Sequence, residues 1–174
     1  MAKNEIPEAL QIAIKMEIDG REYYLKVSQR SSNELGKKLL RSLADEENIH
    51  RQQFEKIYQA IRDKKGWPAV SYHSDKGKKL DTIFAQASSK IDPKVKVSPA
   101  ELDAVETAVG MENKSYDFYK SQSKTAASDA EKSFYEALAA QESEHHRVLL
   151  DYSEYLKDPA AWFVNKERPS LDGG

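Results

Sequence analysis

The stretch Asp45-Glu46-Glu47-Asn48-Ile49-His50 places a glutamate and a histidine three residues apart in a segment whose apolar residues recur with helical spacing. Residues i and i+3 lie on the same face of an α-helix. That face is otherwise apolar and carries Leu40, Leu43, Phe54, Ile57 and Ile61. Burying Glu47 and His50 in such a stripe is costly unless a partner compensates them, and a metal ion would do so.

The same arrangement recurs late in the chain as Glu142-Ser143-Glu144-His145. Aligning the sequence with itself at an offset of 95 positions needs no gap and matches further residues. The matched pairs are Glu17 with Glu112, Glu47 with Glu142, His50 with His145, Met16 with Met111, Tyr24 with Tyr119, Leu43 with Leu138 and Ala44 with Ala139. A single Glu-x-x-His pair is equally compatible with a solvated helix face that carries ordinary charge pairs. Two such pairs at one offset, each with a glutamate thirty residues before it, indicate an internal repeat.

Composition and charge limit the class of protein. The chain has 174 residues and a net charge of −2, and its basic and acidic residues are interspersed, which speaks against a nucleic-acid surface. The absence of cysteine excludes disulfides, thiolate zinc sites and iron–sulfur ligands, and it fits a reducing compartment. No apolar run of about 18 residues predicts a membrane span, and the N-terminus lacks the apolar core of a signal peptide. We therefore expect a cytoplasmic protein with neither a membrane nor a nucleic-acid partner.

Helical periodicity predicts four long helices, at about residues 7–31, 34–64, 98–124 and 128–156. Capping-box patterns at Ser98/Glu101 and Ser128/Glu131 mark two of the helix starts. A long connection, at about residues 65–97, separates the second helix from the third and contains a short helical pattern at 78–89. The predicted fold is an all-α four-helix bundle with a crossover between helices 2 and 3 and an internal two-fold repeat.

The predicted domain covers residues 1–157. The remaining residues, 158–174, form a tail with two aromatic residues, Trp162 and Phe163, that is expected to pack on the bundle or on a partner.

Each predicted helix places its glutamate, or its glutamate and histidine, at mid-height and facing inward. Packing the two halves about a pseudo-two-fold axis would bring four carboxylates and two imidazoles into one bundle core. This set of donors favours a redox-capable first-row metal over structural zinc. Four carboxylates carry about four negative charges, which two divalent cations neutralise. The predicted cofactor is a pair of iron ions, with manganese as the alternative.

The pattern of Glu, Glu-x-x-His, Glu and Glu-x-x-His on four successive helices resembles the ferritin-like di-iron carboxylate proteins, on the rubrerythrin side of that superfamily. The resemblance spans roughly residues 7–157. It implies that Glu17 and Glu112 are terminal carboxylates, that Glu47 and Glu142 bridge the irons, and that His50 and His145 supply one imidazole to each.

Two departures from the family pattern affect the expected chemistry. Rubrerythrins that reduce peroxide usually carry a further glutamate three residues after that of the third helix, whereas this chain has Ser115 there and Gly20 in the repeat. The chain also lacks the Cys-x-x-Cys pairs of a rubredoxin domain. Electrons are therefore expected from a separate donor protein or from ferrous iron itself.

Four further residues have open roles. Tyr24 and Tyr119, two turns beyond their glutamates, are candidates to hydrogen-bond a ligand or carry an electron, or they simply pack in the core. His146 lies off the inward-facing stripe of the fourth helix, and His73 lies in the crossover; both are expected to be surface or partner residues.

The resemblance implies an oxidoreductase whose diferrous centre is oxidised by hydrogen peroxide or dioxygen, as in a peroxidase or ferroxidase, with a role in oxidative stress or iron handling. One alternative is iron storage or delivery. Storage would need a closed shell of many subunits. The other is a non-catalytic interaction module that the metal stabilises. A homo-oligomer is expected, with a dimer favoured.

Overall fold

The computed structural model describes residues 7–69, 78–88 and 97–167, and in these ranges the chain forms helices and no strand. The helices are α1 (Glu8–Arg30), α2 (Glu34–Arg62), α3 (Lys78–Ser88), α4 (Pro99–Thr125), α5 (Asp129–Lys157) and α6 (Pro159–Glu167). The predicted all-α, ferritin-like bundle with its crossover is confirmed, and the predicted helix ends differ by one or two residues. The two-fold relation between the halves stays a prediction.

The four long helices form two hairpins. Short links join α1 to α2 and α4 to α5, and the two helices of each pair pack against each other along their length. The hairpins then meet through contacts of α1 with α4 and of α2 with α5. The buried residues of α1 mostly recur every three or four positions, as helical periodicity predicts: Leu10, Ala13, Glu17, Gly20, Tyr24, Val27 and Ser28.

The core consists of two apolar clusters with polar residues between them. The first apolar cluster, around Leu39, Leu43 and Leu149, also holds Leu80 of α3. The second apolar cluster surrounds Phe54 and Phe134 at the other end of the bundle. Because each long helix carries residues of both clusters, the glutamates and histidines at mid-height have apolar packing above and below them.

The helix starts follow the capping signals only in part. Ser128 accepts a hydrogen bond from the Glu131 amide at 3.2 Å, as the capping pattern predicts. The Ser98/Glu101 capping box does not form, because the Ser98 side chain makes no capping hydrogen bond and Glu101 points elsewhere. Helix α2 is capped by Asn33, whose side chain accepts from the Gly36 amide at 2.7 Å.

The Glu101 carboxylate instead ties three parts of the chain together. It accepts hydrogen bonds from the Ser31 hydroxyl at 2.5 Å, the Ser32 hydroxyl at 2.8 Å and the Tyr152 hydroxyl at 2.9 Å. The Asn33 amide group, 3.3 Å away, is a further donor. Glu101 is only 6% exposed, so these donors replace the water that it loses on burial. The network fixes the α1–α2 link to the start of α4 and the end of α5.

The short helix α6 continues the chain beyond residue 157. Its Trp162 ring packs edge-on against Tyr155, with ring centroids 5.7 Å apart. The Phe163 side chain, His73 and residues 168–174 lie outside the part of the chain that the structure describes. Among the described helices, none has both the length and the apolar character needed to cross a membrane.

Candidate metal centre

The six predicted ligands lie together in the middle of the bundle, and all of them are buried. Each hairpin supplies three of them at neighbouring heights, because a glutamate of its first helix faces a Glu-x-x-His pair of its second. The polar layer consists of Glu17, Glu47, His50, Glu112, Glu142 and His145. Their role as ligands stays a prediction, but their meeting point is the one that the repeat implied.

The polar layer divides into two groups of four residues. The first group, the His50 position, is Glu17, Glu47, His50 and Glu142. The second group, the His145 position, is Glu47, Glu112, Glu142 and His145. In each group, one donor atom per residue lies within 4.8 Å of all the others. Since Glu47 and Glu142 belong to both groups, they have the placement of bridging carboxylates between two ions.

Both histidines turn the same ring nitrogen towards the carboxylates. His50 Nδ1 lies 3.1 Å from a Glu17 oxygen and 3.3 Å from a Glu142 oxygen. His145 Nδ1 lies 3.1 Å from a Glu47 oxygen and 3.6 Å from a Glu112 oxygen. The rings are nearly parallel, with centroids 5.7 Å apart. Each Nδ1 is thus placed to bind a metal, while Nε2 faces outward.

Several atoms of the polar layer are buried without a well-aligned hydrogen bond. They are Glu47 Oε1, both oxygens of Glu142 and His145 Nδ1. Buried polar atoms without partners are rare in native proteins, because each costs roughly 1–3 kcal/mol. All of these atoms are potential metal donors, and they belong to residues of the two groups. The residues therefore fit a pair of divalent ions, which would satisfy them.

The family model described as Rubrerythrin matches residues 8–153. The chain belongs to the rubrerythrin family. The match covers both hairpins and hence the whole polar layer, in agreement with the predicted resemblance. No match was found among curated proteins or among solved structures. Family membership and the buried cluster of carboxylates and imidazoles together support a di-iron site.

In this rubrerythrin-family chain, two tyrosines cross from one half of the centre to the other. The Tyr24 hydroxyl donates a hydrogen bond to Glu112 Oε1, and the Tyr119 hydroxyl donates to Glu17 Oε1. The second oxygen of each carboxylate faces a histidine Nδ1. Of the roles considered for Tyr24 and Tyr119, the contacts support hydrogen bonding to a predicted ligand. Each tyrosine orients a terminal carboxylate and leaves one of its oxygens for a metal.

Sequence reasoning missed two residues next to the polar layer. Glu46 Oε2 lies 2.8 Å from His145 Nε2, and Gln141 Oε1 lies 2.5 Å from His50 Nε2. Each directly precedes one of the two shared glutamates, Glu47 and Glu142, yet each contacts the histidine of the other hairpin. The signal that could have found them is their shared offset of 95 positions, the same as that of the ligands.

The buried carboxylates do not ionise alike. Burial, together with the charges of the neighbouring carboxylates, raises the pKa of both Glu47 and Glu142 well above the ordinary value. Burial also acts to raise the pKa of Glu112, but the neighbouring Glu142 carboxyl group and the charge of His145 outweigh it and lower that pKa to about 2. Without metal, the two bridging residues therefore hold protons more firmly than an exposed glutamate does.

Opposing effects also determine the pKa values of Glu17 and His145. Burial acts to raise the pKa of Glu17, but the attraction of His50 and its hydrogen bond lower that pKa below the ordinary value. Burial acts to lower the pKa of His145, whereas the Glu112 charge and the hydrogen bonds that His145 donates to several carboxylates raise it well above the ordinary value. A metal-free centre thus pairs a charged His145 with charged terminal carboxylates.

The two positions where a further family glutamate would occur carry no carboxylate. A Cβ added at Gly20 would lie 3.3 Å from Glu47 Oε2, so a larger side chain would press on the bridging residue. Ser115 is half-buried and belongs to neither group of four. His146 is half-buried as well and also lies outside both groups. The centre therefore rests on six candidate ligands within the described residues.

Proposed function

We propose that this protein is a non-haem di-iron oxidoreductase that uses hydrogen peroxide or dioxygen to oxidise a diferrous centre. The observation that supports the proposal most strongly is the sharing of Glu47 and Glu142 between two buried groups of four donors. His50 and Glu17 would complete one iron site, and His145 and Glu112 the other. Manganese fits the same donor set and is the alternative metal.

The iron pair would supply two electrons, which together with two protons convert one hydrogen peroxide to two waters or one dioxygen to hydrogen peroxide. The chain supplies the surroundings. Glu47 and Glu142 would neutralise the ions and hold them together, while the two apolar clusters exclude bulk water. Tyr24 and Tyr119 fix the terminal carboxylates by their hydrogen bonds.

Rapid mixing tests the proposed reaction. Metal-free protein is loaded anaerobically with two ferrous ions per chain and mixed with hydrogen peroxide or with dioxygen, and the absorbance of the ferric product is followed. Wild type should react much faster than ferrous ion in buffer, and Glu47→Gln should lose most of this acceleration. Glu136→Gln replaces an exposed glutamate of α5 and serves as the matched control. Equal rates for wild type and Glu47→Gln would refute the proposal, and the faster of the two oxidants identifies the activity.

Iron handling is the second candidate, since ferrous iron can itself be the reductant in a ferroxidase. This reading is supported by Ser115, which offers no carboxylate where peroxide-reducing relatives usually have one. The same mixing experiment separates the two functions when it is repeated with excess ferrous iron. Ferroxidase action with storage predicts that the protein retains many ferric ions per chain. A peroxidase retains only two and depends on a separate electron donor.

We also propose that the protein acts in the cytoplasm and that it forms a homo-oligomer, with a dimer favoured. Sedimentation analysis of the iron-loaded protein tests the oligomer. A shell of many subunits would instead support storage.

A further inference from the structure

The two halves of the metal centre differ in the residue that contacts the outer nitrogen of each histidine. His145 Nε2 faces the carboxylate of Glu46, at 2.8 Å. His50 Nε2 faces the carboxamide oxygen of Gln141, at 2.5 Å. Glu46 and Gln141 are 95 positions apart, the same offset that relates the ligands themselves. A negatively charged acceptor in one half thus corresponds to a neutral acceptor in the other.

The other polar residues of the two halves are of matching type. Each position has one terminal glutamate, one histidine and the same two shared carboxylates. Each terminal glutamate accepts a hydrogen bond from a tyrosine of the other hairpin. The exchange of Glu46 for Gln141 is therefore a difference in charge between the contacts of the two histidines.

The Glu46 charge acts chiefly on His145. The Glu46 side chain is 16% exposed, and among the described residues no lysine or arginine lies within ion-pair distance of it. Its ion-pair partner in that part of the chain is His145. Gln141, which contacts His50, is also buried and is 7% exposed. Both contacts are thus well shielded from water, where hydrogen bonds to charged groups have their largest effect.

A carboxylate and a carboxamide change a metal-binding histidine to different extents. With Nδ1 directed at the metal, Nε2 carries the hydrogen and donates it outward. A carboxylate acceptor makes this hydrogen bond charge-assisted and increases the basicity of the imidazole as a ligand. A neutral amide oxygen fixes the ring orientation but contributes less electron density. Removal of such an outer partner typically costs about 10- to 100-fold in metal affinity.

We propose that the two metal positions are inequivalent, and that the His145 position binds a divalent ion first and more tightly because Glu46 supports His145. The His50 position, supported by Gln141, fills second. This inference rests on the proposed two-metal centre and assigns an order to it. Glu46 and Gln141 are positioning residues, since each acts through a histidine.

Histidine NMR tests the order of filling directly. The full-length, metal-free protein, labelled with ¹⁵N in histidine, is titrated with zinc(II) alone, and the imidazole signals of His50 and His145 are followed. In wild type, the first equivalent should shift His145 and leave His50 mostly unchanged, and the second should shift His50. Because His50 keeps an amide partner, the preference should be about 10-fold, the lower end of the effect of removing an outer partner altogether.

Isosteric exchange provides the matched variants. Glu46→Gln gives both histidines an amide partner, and Gln141→Glu gives both a carboxylate, so in either variant the two signals should shift together. The double variant E46Q/Q141E should reverse the order, with His50 shifting first. Because the two single variants equalise the positions from opposite directions, misfolding of one leaves the other as a test, with circular dichroism as the check on folding.

Simultaneous shifts in wild type, or an unchanged order in the double variant, would overturn the inference while two bound zinc ions still support the proposed centre. Failure of wild type to bind a second zinc ion would instead contradict the proposed centre itself. The two failures are therefore distinguishable in one titration.

Discussion

Glu47 and Glu142 have pKa values well above the ordinary value, chiefly because both are buried and face other carboxylates. A group whose pKa is higher in the folded protein than in the unfolded chain stabilises the fold below the unfolded value. That contribution disappears as the pH rises through the folded pKa. His145, whose pKa is also raised, acts in the same direction from its ordinary value of 6.5 upward. Glu17 and Glu112 act oppositely, and their contribution is lost only as the pH falls below 4.5.

The metal-free protein should therefore become less stable as the pH rises. Urea unfolding is expected to give a lower free energy of unfolding at about pH 8.5 than at about pH 6, because the two bridging glutamates and His145 lose their protons more readily in the unfolded chain. Glu142→Gln should reduce this dependence, whereas the exposed Glu136→Gln should leave it unchanged. A free energy of unfolding that rises over this range would show that the protonation pattern is wrong.

Tyr119→Phe removes the hydrogen-bond donor of Glu17 and keeps the ring that packs against Phe54. The expected result is a loss of about 10-fold in metal affinity, since the freed carboxylate oxygen loses its fixed orientation. Calorimetric titration with zinc measures this loss. Tyr24→Phe should have a similar effect through Glu112, and Tyr58→Phe, at a half-buried tyrosine outside the centre, serves as the control. Unchanged affinity in both Tyr119→Phe and Tyr24→Phe would assign these tyrosines to packing alone.

Helix α2 begins under a tight constraint at Gly36. A Cβ at this position would overlap the hydroxyls of Tyr152 and Ser31, two of the donors to Glu101. Gly36→Ala should therefore destabilise the protein by about 1–3 kcal/mol, the usual cost of overpacking. Gly110 lies in α4 with open space around it, so Gly110→Ala should stabilise by about 0.5–1 kcal/mol through helix propensity. Thermal unfolding compares them, and equal effects of the two substitutions would contradict the packing at Gly36.

Periodicity predicted the helices because each long helix buries one regular stripe, and the buried residues of α1 follow that stripe closely. The polar layer was predictable for the same reason, since a charged residue on an apolar stripe is conspicuous. Glu101 was assigned to a capping box because the local pattern fits one, but its carboxylate reaches the α1–α2 link instead. Glu46 and Gln141 were missed because they contact the opposite hairpin, and spacing within a helix tells nothing about a partner across the bundle.

The two hairpins meet at mid-height through charged and polar groups rather than apolar ones. Four carboxylates at close quarters repel each other unless protons or cations neutralise them, so bound metal should hold the hairpins together. Metal binding is therefore expected to stabilise the whole bundle and not only the residues around the site.

Zinc and iron should therefore stabilise the folded protein to the same extent, but they should differ in their reaction with oxidants. Either ion, at 100 times its dissociation constant, should stabilise the protein by about 2.7 kcal/mol per site and raise the melting temperature. Only the iron-loaded protein should react with hydrogen peroxide or dioxygen. If zinc restored the biological function as fully as iron, the protein would be the metal-stabilised interaction module.

Anomalous X-ray diffraction from crystals of the iron-loaded protein, recorded at the iron absorption edge, tests the metal centre most directly. The predicted result is two iron peaks per chain, about 3.5–4 Å apart, with Glu47 and Glu142 in contact with both. His50 and Glu17 should contact one peak, and His145 and Glu112 the other. A single iron peak, or iron bound away from Glu47 and Glu142, would contradict the di-iron centre.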